Sequence, residues 1–266
     1  MSENRKIDIL GVKIDKINHH ELLNLIERSL KGTSKVKIFT PNTDMISKAH
    51  KNNDLKALLN KADVSIADGI GVVIASRLTG QALPSRLAGI EIGEEILNIA
   101  KRENYKIFLI GSTDENLKKA KSRLEDKYKS LEICGINNGF FNVESKENDN
   151  VVEIINESRA DVLFVCMGFP RQEKWIYNNL PKLSSVKIAI GLGGSVDVWS
   201  GEVKRAPKFI RQIYLEWLWR ILHDFKRAKF LTTIPYFLKE VLKQRRFFVK
   251  NDGKNAHIST NFNKNS

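Results

Sequence analysis

Small, polar and acidic residues follow several apolar segments of this 266-residue chain. The most informative is Asp68, which ends the run Val64–Ala67 and precedes Gly69 and Gly71. A carboxylate at that place could act as a general base that takes a proton from an attacking hydroxyl group. It could equally be the N-cap of a helix that starts near Ile70, and the residues alone leave the two interpretations even.

Four other segments carry similar residues where an apolar run ends. They are Thr40–Asp44, Gly111–Asp114, Gly168–Glu173 and Gly191–Asp197. Each one by itself is better explained as a turn, because Gly, Asn and Asp are turn formers. Together with Asp68 they predict a ligand site, because ligands of open α/β sheets bind beyond the carboxyl ends of the strands. Gly111 and the two residues after it could present backbone N–H groups to a phosphate, or could form an ordinary turn.

Metal ions and dinucleotide cofactors have little support in the sequence. No two aspartates are separated by a single residue, and the five histidines form no ligand constellation. The glycines of residues 191–194 lack the G-x-G-x-x-G spacing of a dinucleotide site. We therefore predict no metal and no cofactor, and cationic side chains must then neutralise any leaving diphosphate.

Strand and helix patterns alternate over residues 6–200. Apolar, β-branched runs predict seven strands. These are Lys6–Ile14, Val36–Thr40, Val64–Ala67, Lys106–Ile110, Leu131–Gly135, Val162–Met167 and Val186–Gly191. Helical patterns lie between them, the clearest at Leu22–Leu30 behind a capping box that runs from Asn18 to Glu21. This alternation predicts an α/β fold with a doubly wound, mostly parallel, Rossmann-like core.

The last quarter of the chain has a different composition. Residues 203–250 contain thirteen Lys and Arg residues, three acids and ten aromatic residues, and so carry +10 of the formal net charge of +13. We divide the chain into a core (1–201), a basic amphipathic helical appendage (202–250) and a disordered tail (251–266). The appendage could be packing with a solvated basic face, a nucleic-acid surface or a membrane-interface element. Trp217 and Trp219 beside Arg220 favour an anionic membrane surface over nucleic acid.

The cysteine count and the N-terminus indicate the compartment. The chain has two cysteines, no apolar signal segment and no run of eighteen apolar residues, which predicts a protein made in the cytosol. With the basic appendage, we expect a cytoplasmic protein that is peripheral on the inner face of the cell membrane. The residues leave the oligomeric state open, a homo-oligomer included.

Taken together, the motifs resemble those of the WecG/TagA/CpsF glycosyltransferase family. They are Thr40-Pro-Asn42, Ala67-Asp68-Gly69-Ile-Gly71, Arg86-Leu-Ala-Gly89, Gly168-x-Pro-x-Gln172-Glu173, Gly191-x-Gly-Gly-x-x-Asp197, Arg205-Ala-Pro207 and Glu216-Trp-Leu-Trp-Arg220. The resemblance implies an inverting, metal-independent transfer of N-acetylmannosamine from UDP to undecaprenyl-diphosphate-linked N-acetylglucosamine. It is strongest to the teichoic-acid branch of the family and also implies a peripheral membrane location.

The resemblance implies site residues as well. Asp68 matches the general base, Thr40 a residue near the transferred sugar and Gln172 a sugar-binding position. The same motifs supply further substrate-binding candidates, which are Asn42, Arg86, Glu173, Gly193 and Asp197, and Gly111 joins them as the possible phosphate contact at the end of its apolar run. Arg220 and Arg227, together with Arg211, are expected to fold over the diphosphate. One departure concerns a third arginine near position 230, where this chain has Lys229-Phe230, and lysine cannot form a bidentate guanidinium clamp.

Two alternatives remain beside this interpretation. The chain could use another UDP-sugar donor, such as N-acetylmannosaminuronate or a hexose. It could also be a non-catalytic, nucleotide-regulated protein that binds anionic lipid or nucleic acid. Release of UDP that depends on a lipid-linked acceptor separates an enzyme from a binding protein.

Overall fold

The centre of the molecule is a six-stranded sheet. The computed structural model describes residues 6–223 and 232–246, and only the backbone of Arg220 and His223. The strands are β3 (Val36–Phe39), β4 (Val64–Ser65), β5 (Lys106–Gly111), β6 (Glu132–Asn137), β7 (Val162–Cys166) and β8 (Ile188–Gly191). They are hydrogen-bonded in the order β4-β3-β8-β7-β5-β6, and every pair is parallel. All six carboxyl ends therefore lie at one edge.

Helices cover both faces of this sheet. One face packs against α1 (His19–Lys31), α5 (Gly89–Glu103), α6 (Asp114–Lys127) and α9 (Ser195–Trp199). The other packs against α2 (Thr43–Lys51), α3 (Asn53–Leu59), α4 (Ile70–Leu78), α7 (Lys146–Ser158) and α8 (Arg171–Asn179). Alternate strand residues enter different cores, so Leu163 lies in one and Phe164 in the other. The predicted doubly wound α/β core is confirmed, because strands buried on both faces carry continuous apolar runs.

The prediction of one strand over Lys6–Ile14 is wrong, because these residues form part of a hairpin outside the main sheet. β1 (Lys6–Ile9) and β2 (Val12–Asp15) pair antiparallel. Leu10 and Gly11 form the turn, with φ angles of 54° and 87°. A leucine at the first of these positions gives no turn signal, since Asn or Asp is the usual residue before the glycine. The alternating apolar pattern therefore runs through the turn without a break, and the sequence does not show where the first strand ends.

The capping box at α1 is confirmed. The Asn18 side chain accepts a hydrogen bond from the Glu21 N–H at 2.9 Å, and the Glu21 carboxylate accepts one from the Asn18 N–H at 2.9 Å. Gly32 closes the helix by donating its N–H to the Arg28 carbonyl oxygen at 3.0 Å. These two ends fix α1 through local sequence alone, because they satisfy backbone groups that the helix leaves unpaired.

The appendage contains α10 (Lys208–Gln212), α11 (Glu216–His223) and a helix over residues 232–246, here α12. Phe237 and Val241 of α12 are fully buried in the core on the α2 side of the sheet. The Gln244 side chain holds the hairpin turn, since it accepts from the Leu10 N–H at 3.0 Å and donates to the Asp8 carbonyl oxygen at 3.3 Å. The end of the appendage is thus packed into the core. The predicted tail, 251–266, lies outside the described residues.

No helix within residues 6–223 and 232–246 is long and apolar enough to cross a bilayer.

Candidate active site

A cavity of about 300 Å³ lies at the carboxyl edge of the sheet, between the core and the appendage. Its polar lining consists of Asn42, Thr43, Asp68, Arg86, Ser195 and Glu216. Apolar side chains form most of the remaining wall, and they come from α4, from α5, from the loop after β8 and from the appendage. Small-molecule sites commonly have this composition, with a few polar groups on a largely apolar surface.

Asp68 lies in the cavity wall and is half-buried. Its N–H donates to the Pro41 carbonyl oxygen at 3.0 Å, which ties the end of β4 to the end of β3. The N-cap residue of α4 is Gly69, which has no side chain to cap the helix. The capping alternative for Asp68 is therefore wrong. Gly69 has φ of 117°, a conformation that requires glycine and lets the backbone turn sharply beside the carboxylate.

Asn42 combines a structural task with a place in the cavity wall. Its side-chain oxygen accepts from the N–H groups of Asp44 at 3.0 Å and Met45 at 3.1 Å, and it thereby caps α2. The amide plane of Asn42 is fixed by these two bonds, because only its oxygen can accept them. The residue therefore presents a fixed amide at the cavity wall.

Three arginines meet at one carboxylate at the edge of the cavity. Arg86 lies 3.2 Å from the Glu91 carboxylate, Arg205 lies 2.7 Å from it and Arg211 lies 3.9 Å from it. The Arg86 guanidinium also lies over the Tyr214 ring, 5.5 Å from its centre. These contacts join the core helix α5 to the appendage. Arg205 is predicted only as part of a motif, and Glu91 and Tyr214 carry no signal in the sequence because they are ordinary surface residue types.

Two of the residues predicted to bind the diphosphate, Arg220 and Arg227, have side chains outside the described part of the chain. The backbone of Arg220 belongs to α11, and its side chain is not described. Arg227 and Lys229 lie outside the described residues. Arg211 is half-buried, and its Nε donates to the Ala206 carbonyl oxygen at 3.1 Å. The arginine clamp over a diphosphate stays a prediction.

Thr40 and Gln172 hold the backbone that follows β8, and neither lines the cavity. The Thr40 hydroxyl donates to the Gly191 carbonyl oxygen at 2.9 Å. The Gln172 side-chain oxygen accepts from the N–H groups of Gly193 at 3.0 Å and Gly168 at 3.2 Å. Both side chains are buried. The structure thus brings these two predicted sugar-contacting residues to the site and places them behind its wall.

Glu173, next to Gln172, is fully buried. Its Oε1 accepts from the Gln172 amide at 2.8 Å, and its Oε2 has no hydrogen-bond partner among the described residues. Burial raises the pKa of Glu173 to about 7, and the hydrogen bond from Gln172 opposes this only in part. The family motif names Glu173 as a substrate-binding candidate, but its burial, its hydrogen bond with Gln172 and its raised pKa depend on the fold and could not be read from residue type and spacing.

A second cluster lies farther along the edge, at the end of β5. The Asp197 carboxylate accepts from the Ser112 hydroxyl at 2.5 Å and from the Asn116 amide at 3.1 Å. Gly111 is explained by packing, because a Cβ there would lie 2.2 Å from the Cys166 carbonyl oxygen. The first turn of α6 carries Asp114 and Glu115, so this end is acidic. It therefore suits hydroxyl and amide groups of a ligand better than a phosphate.

The chain matches the model of the glycosyl transferase WecG/TagA/CpsF family over residues 7–251. It belongs to that family, as its motifs predicted, and it is a glycosyltransferase.

Two relatives from Staphylococcus aureus carry one specific name. The chain is 34% identical over 247 residues to the N-acetylglucosaminyldiphosphoundecaprenol N-acetyl-beta-D-mannosaminyltransferase of Staphylococcus aureus strain MW2. The aligned residues cover 92% of this chain and 95% of the relative. The protein of that name from strain MRSA252 is 35% identical over the same shares of the two chains.

Proposed function

We propose that this glycosyltransferase moves N-acetylmannosamine from UDP-N-acetylmannosamine to N-acetylglucosamine on undecaprenyl diphosphate. The observation that carries the proposal is the 34% identity, over nearly the whole length of both chains, to relatives named for this transfer. The product would serve as the linkage unit of a wall teichoic acid or of a related surface polysaccharide.

Asp68 is the proposed general base. The acceptor hydroxyl oxygen forms a bond to the anomeric carbon of the donor, and the bond between that carbon and the UDP oxygen breaks with its electrons going to UDP. Asp68 takes the proton of the attacking hydroxyl group. Attack from the face opposite UDP inverts the anomeric centre. The place of Asp68 in the cavity wall, without a capping role in α4, supports this assignment.

The donor nucleotide is assigned to the carboxyl edge from the cavity towards the second cluster. Gly111 at the end of β5, Gly193 in the loop after β8 and Asp197 of α9 lie along it. The acidic, hydroxyl-rich cluster around Asp197 suits the uncharged parts of a nucleotide. The diphosphate would then lie nearer the cavity, where Arg86 forms part of the wall.

Cationic side chains are proposed to neutralise the leaving UDP without a metal ion. Preorganised cations that face developing charge stabilise a transition state strongly where water is excluded. Arg86 and Arg211 are the candidates within the described residues, and Arg220 and Arg227 are candidates from the family resemblance. The contacts that Arg86 and Arg211 share with Glu91 support their convergence on one place.

The acceptor is proposed to reach the cavity from a membrane surface. Phe209 and Leu222 are each 64% exposed and Ile213 is 58% exposed, and Lys208 and Arg211 lie on the same short segment. Apolar and basic side chains together bind the interface of an anionic bilayer. We therefore propose that the protein is peripheral on the inner face of the cell membrane.

A donor panel tests the proposal. UDP release is measured with several UDP-sugars, each with and without the lipid-diphosphate-linked N-acetylglucosamine. We expect release from UDP-N-acetylmannosamine, and only when the acceptor is present. Faster turnover of another UDP-sugar would replace the donor, and UDP binding without any turnover would leave a nucleotide-regulated binding protein.

A further inference from the structure

A buried hydrogen-bond chain lies behind the wall of the cavity. It starts at the Glu173 carboxyl group, passes through the Gln172 side chain and ends at the backbone N–H groups of Gly168 and Gly193. These glycines follow neighbouring strands, β7 and β8. Leu192 and residues 194–195, on either side of Gly193, line the cavity. These hydrogen bonds therefore connect a buried acid to the Gly193 loop, which flanks the cavity, and to the neighbouring Gly168 loop.

The two ends of the Gln172 amide are not interchangeable at this place. Its oxygen can accept from both glycine N–H groups, whereas its NH₂ group can only donate. A rotation of the amide by half a turn would set NH₂ against two N–H donors and would put the oxygen against the Glu173 Oε1. The acceptor at Glu173 therefore fixes the one orientation in which Gln172 holds both loops.

Gly191 leaves the space that the Gln172 side chain occupies. A Cβ atom at Gly191 would lie 2.7 Å from the Gln172 Nε2 and 3.4 Å from the Glu173 Oε1. Gln172 is 2% exposed and Glu173 is fully buried, so water does not compete for these groups freely. A hydrogen bond at such a buried place is costly to break, because the donor left behind stays unsatisfied.

We propose that Glu173 is a positioning residue for glycosyl transfer, which orients the Gln172 amide so that it holds the Gly168 and Gly193 loops in their reactive arrangement. The inference rests on the proposed function only where enzyme activity is measured. Neither Glu173 nor Gln172 needs to touch the donor or the acceptor. The Glu173 Oε2, which has no hydrogen-bond partner within residues 6–223 and 232–246, takes no part in the orientation.

Two substitutions at one position separate this role from a role in stability. Glu173→Gln keeps an acceptor oxygen for Gln172, and we expect kcat to stay within about threefold of the parent enzyme. Glu173→Met has a similar length but no acceptor, and we expect kcat to fall by about tenfold or more. The melting temperature of Glu173→Met should change little, because loss of a buried unpaired oxygen and loss of an acceptor oppose each other.

Hydrogen exchange measures the loops without any substrate. Glu173→Met should speed exchange at the Gly168 and Gly193 N–H groups, and Glu173→Gln should not. Gln172→Met removes the acceptor from those groups directly and should give the same faster exchange and the same fall in kcat, even if Glu173→Met does not fold. Asn179→Ala is the matched control, because Asn179 is a buried polar residue of α8 that bonds Asn148 and Trp175 instead. It should lower the melting temperature and leave kcat unchanged.

Several results would overturn the proposal. One is a normal kcat in Glu173→Met or in Gln172→Met. Another is a fall in kcat without faster exchange at the two glycines. The third is a Glu173→Gln enzyme as impaired as Glu173→Met, since orientation through an acceptor oxygen would then not be the cause. If no UDP-sugar is turned over, the proposed function fails, and the exchange results still decide whether Glu173 holds the loops.

Discussion

Several of the polar residues at the carboxyl edge hold backbone in place. Thr40 and Gln172 bond the Gly191 and Gly193 backbone, and Asn42 caps α2. Asp68 lies in the cavity wall and is not the N-cap of α4. At the scale of single residues, we expect substitution of Asp68 to change the reaction and substitution of the residues that hold backbone to change the shape of the site.

Asp68→Asn tests the general base. The substitution keeps size and polarity but removes the ability to accept a proton at neutral pH. We expect turnover to fall by about 10²–10⁴-fold, with UDP binding and the melting temperature near those of the parent enzyme. Asp63→Asn is the control, since Asp63 pairs with Lys37 before β4 and should lose no turnover. Turnover near normal in Asp68→Asn would remove this residue from the mechanism.

Glu173 makes the stability of the protein depend on pH. Its folded-state pKa of about 7 lies above the ordinary value of 4.5, so the folded state holds the proton more tightly than the unfolded state. The contribution of Glu173 to stability is therefore complete below about pH 4.5 and is lost as the pH rises to about 7.

Denaturation of the parent protein and of Glu173→Gln at several pH values tests whether Glu173 makes stability fall as the pH rises. We expect the glutamine variant to lose less stability than the parent between about pH 4.5 and pH 7. Equal pH profiles for the two proteins would mean that Glu173 titrates normally in the folded state.

At the scale of elements, α12 belongs to the core through its buried face. Val241 is fully buried, while its neighbour Leu242 is 42% exposed. Val241→Ala removes two buried carbon atoms and leaves a small cavity, so we expect a loss of about 2 kcal/mol in the free energy of unfolding. Leu242→Ala should change it by less than about 0.5 kcal/mol. Chemical denaturation of both variants gives the comparison, and equal small effects would show that α12 is a detachable anchor.

The exposed apolar side chains of the α10 and α11 segment give a prediction about membrane binding. Replacing Phe209 and Ile213 together by serine removes two exposed apolar side chains and leaves every charge in place. We expect weaker sedimentation with anionic vesicles, and Ile154→Ser on α7, 45% exposed, should have no effect. Binding of the parent should also weaken with salt, because the Debye length falls to about 8 Å at 0.15 M. Unchanged binding of the double variant would place the membrane surface elsewhere.

At the scale of the whole molecule, the leaving diphosphate has to be neutralised by the protein if no metal takes part. We expect turnover to survive excess EDTA and to respond little to added Mg²⁺. Complete loss of activity on chelation, restored by Mg²⁺ or Mn²⁺, would assign this task to a metal ion instead of the arginines. The control is the same assay with a chelator that does not bind the divalent metal ion in the assay buffer.

The sequence by itself determined the parallel α/β core, the cap of α1, the family and the position of Asp68 after β4. These follow from local features, because period, apolar runs and capping residues act over a few neighbours along the chain. Tertiary structure decided what each polar residue does. The family motifs predict Thr40 and Gln172 near the sugar, and the fold adds that their side chains bond the backbone of Gly191 and Gly193, which are distant in sequence from Thr40. The burial that raises the pKa of Glu173, and the packing of α12 on the core, likewise depend on segments that only folding brings together.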